Sequence, residues 1–319
     1  MITSSDFKPA WWLPGPHLQT LYPSLLRARR APALVREQIE LPDGDFVDID
    51  WTKDTGNALV LVLHGLEGSL ESHYTGNIIS ALAKQSYTAG LMYFRGCSGT
   101  PNRLARRYHS GDTADLDHVV RLLGIRHGTR PIAVLGYSLG GNVLLKWLGE
   151  QGAKAPVTTA IAISVPFDLN SAALQLESGI ARIYQRHLLK KLRHSISAKA
   201  LRHPPPYPLE RLHELRTFRQ FDDAITAPLH GFRDVDDYYT QSSCKQYLGG
   251  ISVQTLILHA RDDPFLPSRA IPAQQELSPA ITLELARHGG HVGFVAGSNP
   301  LRPQYWLETR IIEQLRRLC

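Results

Sequence analysis

The sequence predicts an α/β fold: a mostly parallel, eight-stranded sheet flanked by helices and interrupted by one helical insertion. Three observations predict it. Short apolar runs bounded by Gly, Pro or polar residues recur along the chain. Stretches with apolar residues at helical spacing lie between them, an alternation that sets strands parallel. One long segment, residues 168–250, holds no convincing strand.

LVREQIEL (34–41) and FVDIDW (46–51) flank PDGD, a turn sequence, and read as a hairpin. LVLVLHG (59–65) is a near-continuous apolar run, as expected of a strand buried on both faces. GLMYFRG (90–96), PIAVLGY (131–137), TTAIAIS (158–164), VQTLILHA (253–260) and ITLELA (281–286) follow the same style and bring the strands to eight. Leu116, Val119, Val120 and Leu123 form one helical face. Asn142 to Leu148 continues as a helix from the strand before it, and Tyr305 to Leu318 closes the chain with Leu307, Ile311, Leu315 and Leu318 on one stripe. Residues 168–250 are helical in composition and then Pro-rich at Pro204, Pro205 and Pro206. Insertions of this kind sit at the carboxyl ends of the strands, where ligands bind. They are expected here to form a helical cap within a single domain spanning 1–319.

Composition narrows the class. Hydrophobic residues make up 43% and charged residues 20% of 319, ordinary soluble-protein values. The net charge of +6 favours anionic partners only slightly. Three cysteines, Cys97, Cys244 and Cys319, form no CxxC and are odd in number. A disulfide framework or zinc site is therefore not expected, and a reducing, cytoplasmic location is. The N-terminus lacks the charged-then-apolar pattern of a signal peptide, and no apolar run is long enough to span a bilayer.

The strongest motif is GYSLG, residues 136–140, which follows the strand PIAVL and opens a helix. In that context GxSxG marks a nucleophile on a sharp, strained turn, which makes Ser138 the candidate. Glycines two residues either side remove side chains that would clash, and the helix N-terminus favours developing negative charge. A serine nucleophile needs a base and an orienting acid, in the chain order Ser, Asp/Glu, His. LILHARDDPFLP (256–267) supplies two aspartates directly after a strand. Asp263, next to Pro264, is favoured as the acid over Asp262, which reads as an Asx-type turn. RHGGHVGF (287–294) follows the next strand and carries His288 and His291, either of which could be the base; His291 follows two glycines that would let the loop swing it toward Ser138. A metal reading of this HxxH pair is poor, because no HExxH and no third ligand are evident. The oxyanion hole is expected from the Leu139 amide, directly after the serine, and the Leu66 amide of HGLEG (64–68). His64 reads as a brace for that loop.

Several stretches together are similar to one family. LPGPHLQTLYP near the N-terminus, HGLEG, GYSLGGN, ARDDPF and HGGHVGF resemble the YheT-type branch of the α/β-hydrolases, relatives of the mammalian ABHD1/2/3 lipases; FRGCSG, TAPLHGF (226–232) and DVDDYY add to the match. The resemblance covers nearly the whole chain. It implies the α/β-hydrolase fold and a triad of Ser138, Asp263 and His291, and it is the resemblance that selects His291 over His288. It also implies hydrolysis of carboxylic esters, with acyl lipids or short acyl esters as substrates and no cofactor.

Two other readings use the same residues. An acyltransferase would run the same triad with an alcohol replacing water at deacylation. A non-catalytic membrane-surface module would use the scaffold alone, and the intact set of triad and oxyanion residues argues against it. Serine at position 138 excludes a dehalogenase or epoxide hydrolase, which would place a carboxylate there. Between Arg182 and Arg202 there are seven Lys/Arg and no Asp or Glu, interleaved with Ile183, Leu188, Leu189 and Leu192. This stretch reads either as a solvated cap helix or as a peripheral contact with anionic membrane. No recognised nucleic-acid motif accompanies the charge.

Overall fold

A computed structural model describes residues 1–54, 56 and 58–316. The chain opens with β1 (Ile2–Ser4) and α1 (Pro16–Leu26). β2 (Val35–Glu40), β3 (Phe46–Trp51), β4 (Leu59–Leu63), α2 (Thr75–Lys84), β5 (Thr88–Met92), α3 (Ala114–His127), β6 (Ile132–Tyr137), α4 (Leu139–Gln151) and β7 (Thr159–Ile163) follow. Five helices then precede β8 (Thr255–Ala260): α5 (Leu169–Leu176), α6 (Ala181–Ala200), α7 (Phe218–Phe221), α8 (Ala227–Leu229) and α9 (Val235–Ser242). β9 (Ile281–Ala286), the short pair β10 (Val295–Ala296) and β11 (Gln304–Tyr305), and α10 (Trp306–Leu315) complete the order.

Among the described residues the main sheet has nine strands, in the order β1-β9-β8-β7-β6-β4-β5-β3-β2. β2–β3 and β3–β5 are antiparallel, and the other pairs are parallel. β4 lies between β5 and β6, so the chain leaves β4 to one side and returns on the other. Such a reversal opens a crevice at the carboxyl ends of the two strands. Leu63 pairs with Gly136 in register, so HGLEG and Ser138 leave the sheet side by side.

Successive strand residues point to opposite faces. Leu59, Leu61 and Leu63 join a core layer with α3 and α4, while Val60 and Val62 join one with α2 and α10. A third cluster belongs to the helices between β7 and β8 and includes Leu189, Leu192 and Ile196. Thus Leu189 and Leu192 of the basic stretch turn inward, whereas Ile183 and the cations Arg182, Arg186, Lys190 and Lys191 are exposed.

Two expectations need correction. The sheet has nine strands rather than eight, because Ile2–Ser4 adds a parallel edge strand to β9, with Ile2 opposite Leu283. Three residues with one apolar side chain give no readable period. The strand expected at 90–96 runs instead over Thr88–Met92. Beyond it Gly96 takes φ +77°, and Arg95 turns into a buried ionic cluster. Its guanidinium pairs with both carboxylate oxygens of Asp115 at 2.7 Å and reaches Asp43 at 2.7 Å and Asp45 at 3.0 Å. Of the expected terminal helix stripe, Leu307, Ile311 and Leu315 are buried, and Leu318 lies outside the described residues.

Arg95 thereby ties the β2–β3 turn, the loop after β5 and the start of α3 together. Arg95→Ala would leave buried carboxylates without their partner and should destabilise the protein by about 3–5 kcal/mol. Arg121→Ala, which removes an exposed pair with Asp117, should change stability by less than about 1 kcal/mol. Urea denaturation of both variants reads the difference.

Candidate active site

The site is built at the turn between β6 and α4. Ser138 takes φ 52° and ψ −117°, a left-handed conformation that is strained for a side chain-bearing residue. Packing enforces it. A Cβ on Gly136 would come within 2.5 Å of the Gly140 carbonyl, and one on Gly140 within 2.6 Å of the His64 carbonyl. The two glycines of GxSxG therefore let the turn fold against itself and against the end of β4. The Ser138 N–H donates to the Ile163 carbonyl at 2.8 Å, and its own carbonyl accepts from Asn142 N–H.

The histidine and aspartate proposed from sequence lie in line with this serine. Ser138 Oγ is 3.0 Å from His291 Nε2. His291 Nδ1 is 2.9 Å from Asp263 Oδ2 and 3.2 Å from Oδ1. A proton on Nδ1 facing the carboxylate leaves Nε2 free to accept the serine hydroxyl. Asp263 is 4% exposed and also accepts the Phe265 N–H at 2.8 Å. The Phe265 ring stacks on the imidazole at 3.9 Å. The other two candidates form a separate pair away from the serine: His288 Nδ1 lies 3.2 Å from Asp262 Oδ2, and this histidine is exposed. Asp262 Oδ1 accepts the Gly290 N–H, a turn-bracing role.

A less obvious support comes from α1. Thr20 Oγ1 accepts the His291 N–H at 2.9 Å and donates to the Pro16 carbonyl. Gln19 exchanges a pair of hydrogen bonds with the Val295 backbone at 2.8 and 3.1 Å. Both side chains are buried. This clamp on the histidine loop is what the N-terminal LPGPHLQT segment does structurally. Nothing in its residue types foretold a partner so far along the chain.

HGLEG is held from several sides. His64 sits fully buried with Nε2 accepting the Phe94 N–H and Nδ1 donating to the Gly65 carbonyl. Burial holds it down to about 4, so it stays neutral, and it braces the loop as expected. The Gly65 N–H donates to Tyr74 Oη, and the Glu67 N–H to Tyr108 Oη. Glu67 itself takes φ 48° and accepts from Arg107 at 2.7 Å. Between these occupied amides, the Leu66 N–H donates to no acceptor among the described residues, and neither does the Leu139 N–H.

A partly open cavity, about 950 Å³ of empty space with its solvent-open mouth included, runs from Ser138 and Leu139 beneath the helices between β7 and β8. Leu176, Leu192, Phe218 and Ile225 give it an apolar body. Its lining also includes polar groups. Asp222 accepts from Thr226 and Tyr239, and burial pushes its carboxyl up to about 6. Desolvation and nearby positive charge hold His109 and His230 near 3, so both are neutral.

Comparison with known proteins places the chain. The α/β hydrolase fold family matches residues 58–298. The Escherichia coli (strain K12) protein named "Putative esterase YheT" is 42% identical over 98% of this chain and 94% of its own length. The mouse protein named "Phospholipase ABHD3" is 27% identical over 95% of this chain and 77% of its own. Among solved structures, the Pyrococcus furiosus esterase Pf2001 superposes with a TM-score of 0.60, covering 89% of this chain and 90% of that one, at 19% identity. That last likeness concerns the fold alone. On the family match and the YheT identity together, the chain belongs to the α/β-hydrolase fold family, in the YheT-like branch.

Proposed function

We propose that this protein is a serine carboxylic-ester hydrolase that works through an acyl-enzyme. The observation that carries the reading is the unbroken chain of contacts from Ser138 Oγ through His291 to Asp263, at 3.0 and 2.9 Å. His291 takes the Ser138 proton as the serine attacks the ester carbonyl. The Leu66 and Leu139 amides receive the oxyanion, for which no protein acceptor competes. His291 then protonates the leaving alcohol, and water activated by the same imidazole releases the acid. Asp263 holds the tautomer and stabilises the charged imidazole. The esterase and phospholipase names of the relatives support this reaction class. The apolar cavity suits an acyl chain, and the helices of residues 168–250 would then act as its cap.

The exposed face of α6 supports a second element of the reading. Arg182 and Arg186 are exposed near exposed Ile180 and Ile183, and no helix among the described residues is long and apolar enough to cross a membrane. Residues 182–202 would then meet anionic lipid peripherally. Sedimentation with vesicles should show binding that rises with phosphatidylserine content and falls at high salt; equal binding to neutral vesicles would contradict it.

Hydrolysis of p-nitrophenyl esters tests the reaction. Ser138→Ala should lower kcat by at least about 10⁴-fold, and Asp263→Asn by about 10⁴-fold, with unchanged thermal unfolding. His288→Ala should leave kcat within about twofold, because its pair with Asp262 is remote from the serine. Thr20→Val should lower kcat about tenfold through a displaced imidazole, since small misplacements are expensive in rate.

A further inference from the structure

Arg107 lines two cavities. One is the apolar cavity below Ser138. The other is a larger cleft, about 1340 Å³ of empty space, between α6 and the loops at 67–69 and 96–102. The Arg107 guanidinium forms the partition: its Nη2 bonds Glu67 Oε1 on one side and Ser195 Oγ of α6 on the other.

The chemistry of this cleft is lopsided. Arg107 and Lys199 are buried, and Lys190 and Lys191 rise from them along α6. His187 and His194 add two further ring donors. Glu67 is the one carboxylate among the described lining residues, and it is already taken by Arg107 and Tyr108. Lys190 and Lys191 have no ion-pair partner among the described residues. The Lys199 ammonium donates only to neutral oxygens, Asn102 Oδ1 and the Arg106 carbonyl. Burial, with Arg107 close by, pushes Lys199 down to about 8. Burial and the charges of Lys191 and Lys190 lower His187 as well. Four cationic side chains line this concave space with one engaged carboxylate, and among the described residues only Asp45, behind Asn102, offsets Lys199 from outside the lining, so a multiply charged anion would relieve their mutual repulsion.

We propose that this cleft binds a phosphate group, carried either by the alcohol half of an ester substrate or by a free phosphate ion. A phosphate offers several acceptor oxygens and up to two charges, which suits lysine and histidine donors arriving from one helix and an arginine from the floor. The position gives the site its meaning. Glu67 follows Leu66 directly and Arg107 lines both cavities, so the cleft and the Ser138 cavity share one wall. The substrate source rests on the ester-hydrolase reading; phosphate binding itself does not.

The test uses the full chain as wild type, Lys190→Ala/Lys191→Ala and Ser138→Ala. Both lysines are exposed, so the double variant should fold, and circular dichroism checks that it does. Titration calorimetry with inorganic phosphate should show saturable binding to wild type and to Ser138→Ala, weakened tenfold or more in the lysine variant. Next, 1-butyrylglycerol and its 3-phosphate are compared as substrates. A tenfold or greater preference of wild type for the phosphorylated ester, reduced to less than twofold in the lysine variant, assigns the phosphate to the substrate. Equal cleavage of the two esters with phosphate still bound assigns the site to the free ion. If phosphate binds but neither ester is cut, the hydrolase reading fails and the site stands. No saturable binding to folded wild type, or equal binding by wild type and lysine variant, overturns the proposal.

Discussion

The carboxyl edge of the sheet is organised by one constraint, the left-handed backbone of Ser138. A residue with a side chain holds φ 52° only where its surroundings leave no alternative. Here the surroundings are Gly136 and Gly140, packed so closely on the turn and on the end of β4 that neither position has room for a methyl group. The same contacts that force the strain also place HGLEG beside the serine. Position and strain therefore have one origin, the parallel pairing of β4 with β6 in a register that sets Leu63 against Gly136.

From that turn outward, the groups of the candidate site are held by side chains from other parts of the chain as well as from their own loops. The imidazole of His291 is fixed at its backbone by Thr20 and at its face by Phe265. The loop carrying Leu66 is fixed by Tyr74, Tyr108 and His64. Preorganisation of this kind matters because donors that are already aimed need no reorganisation as charge develops. It also explains how α1, at the other end of the chain from His291, supports the candidate site. Through Gln19 and Thr20 it clamps the loop between β9 and α10.

Much of this was legible in the residues. Apolar runs such as LVLVLHG and PIAVLGY marked central strands because parallel strands are buried on both faces. GYSLG marked its own turn because only glycines tolerate such close packing. Asp263 could be preferred to Asp262, and the structure puts Asp263 on His291 while Asp262 takes His288. The choice of histidine needed the family resemblance, since two histidines three residues apart carry the same chemistry. β1 was not legible, because three residues at a sheet edge have no periodicity. The end of β5 is not legible in the residues because Tyr93 and Phe94 continue the apolar run past Met92, while Arg95 is drawn away by carboxylates at 43, 45 and 115. Long-range polar partners of this kind leave no local pattern. The same holds for the cleft beside Arg107, whose cations come from α6 and from the loop after β5.

Intact mass after treatment with a fluorophosphonate, on wild type, Ser138→Ala and His291→Ala, tests the Ser138–His291–Asp263 arrangement directly. Such a probe adds only to a serine whose hydroxyl is activated by a neighbouring base. A Ser138 activated by His291 gives one adduct on wild type, none on the serine variant, and much slower labelling of the histidine variant. An adduct that persists on Ser138→Ala, or labelling of His291→Ala as fast as wild type, would contradict that activation.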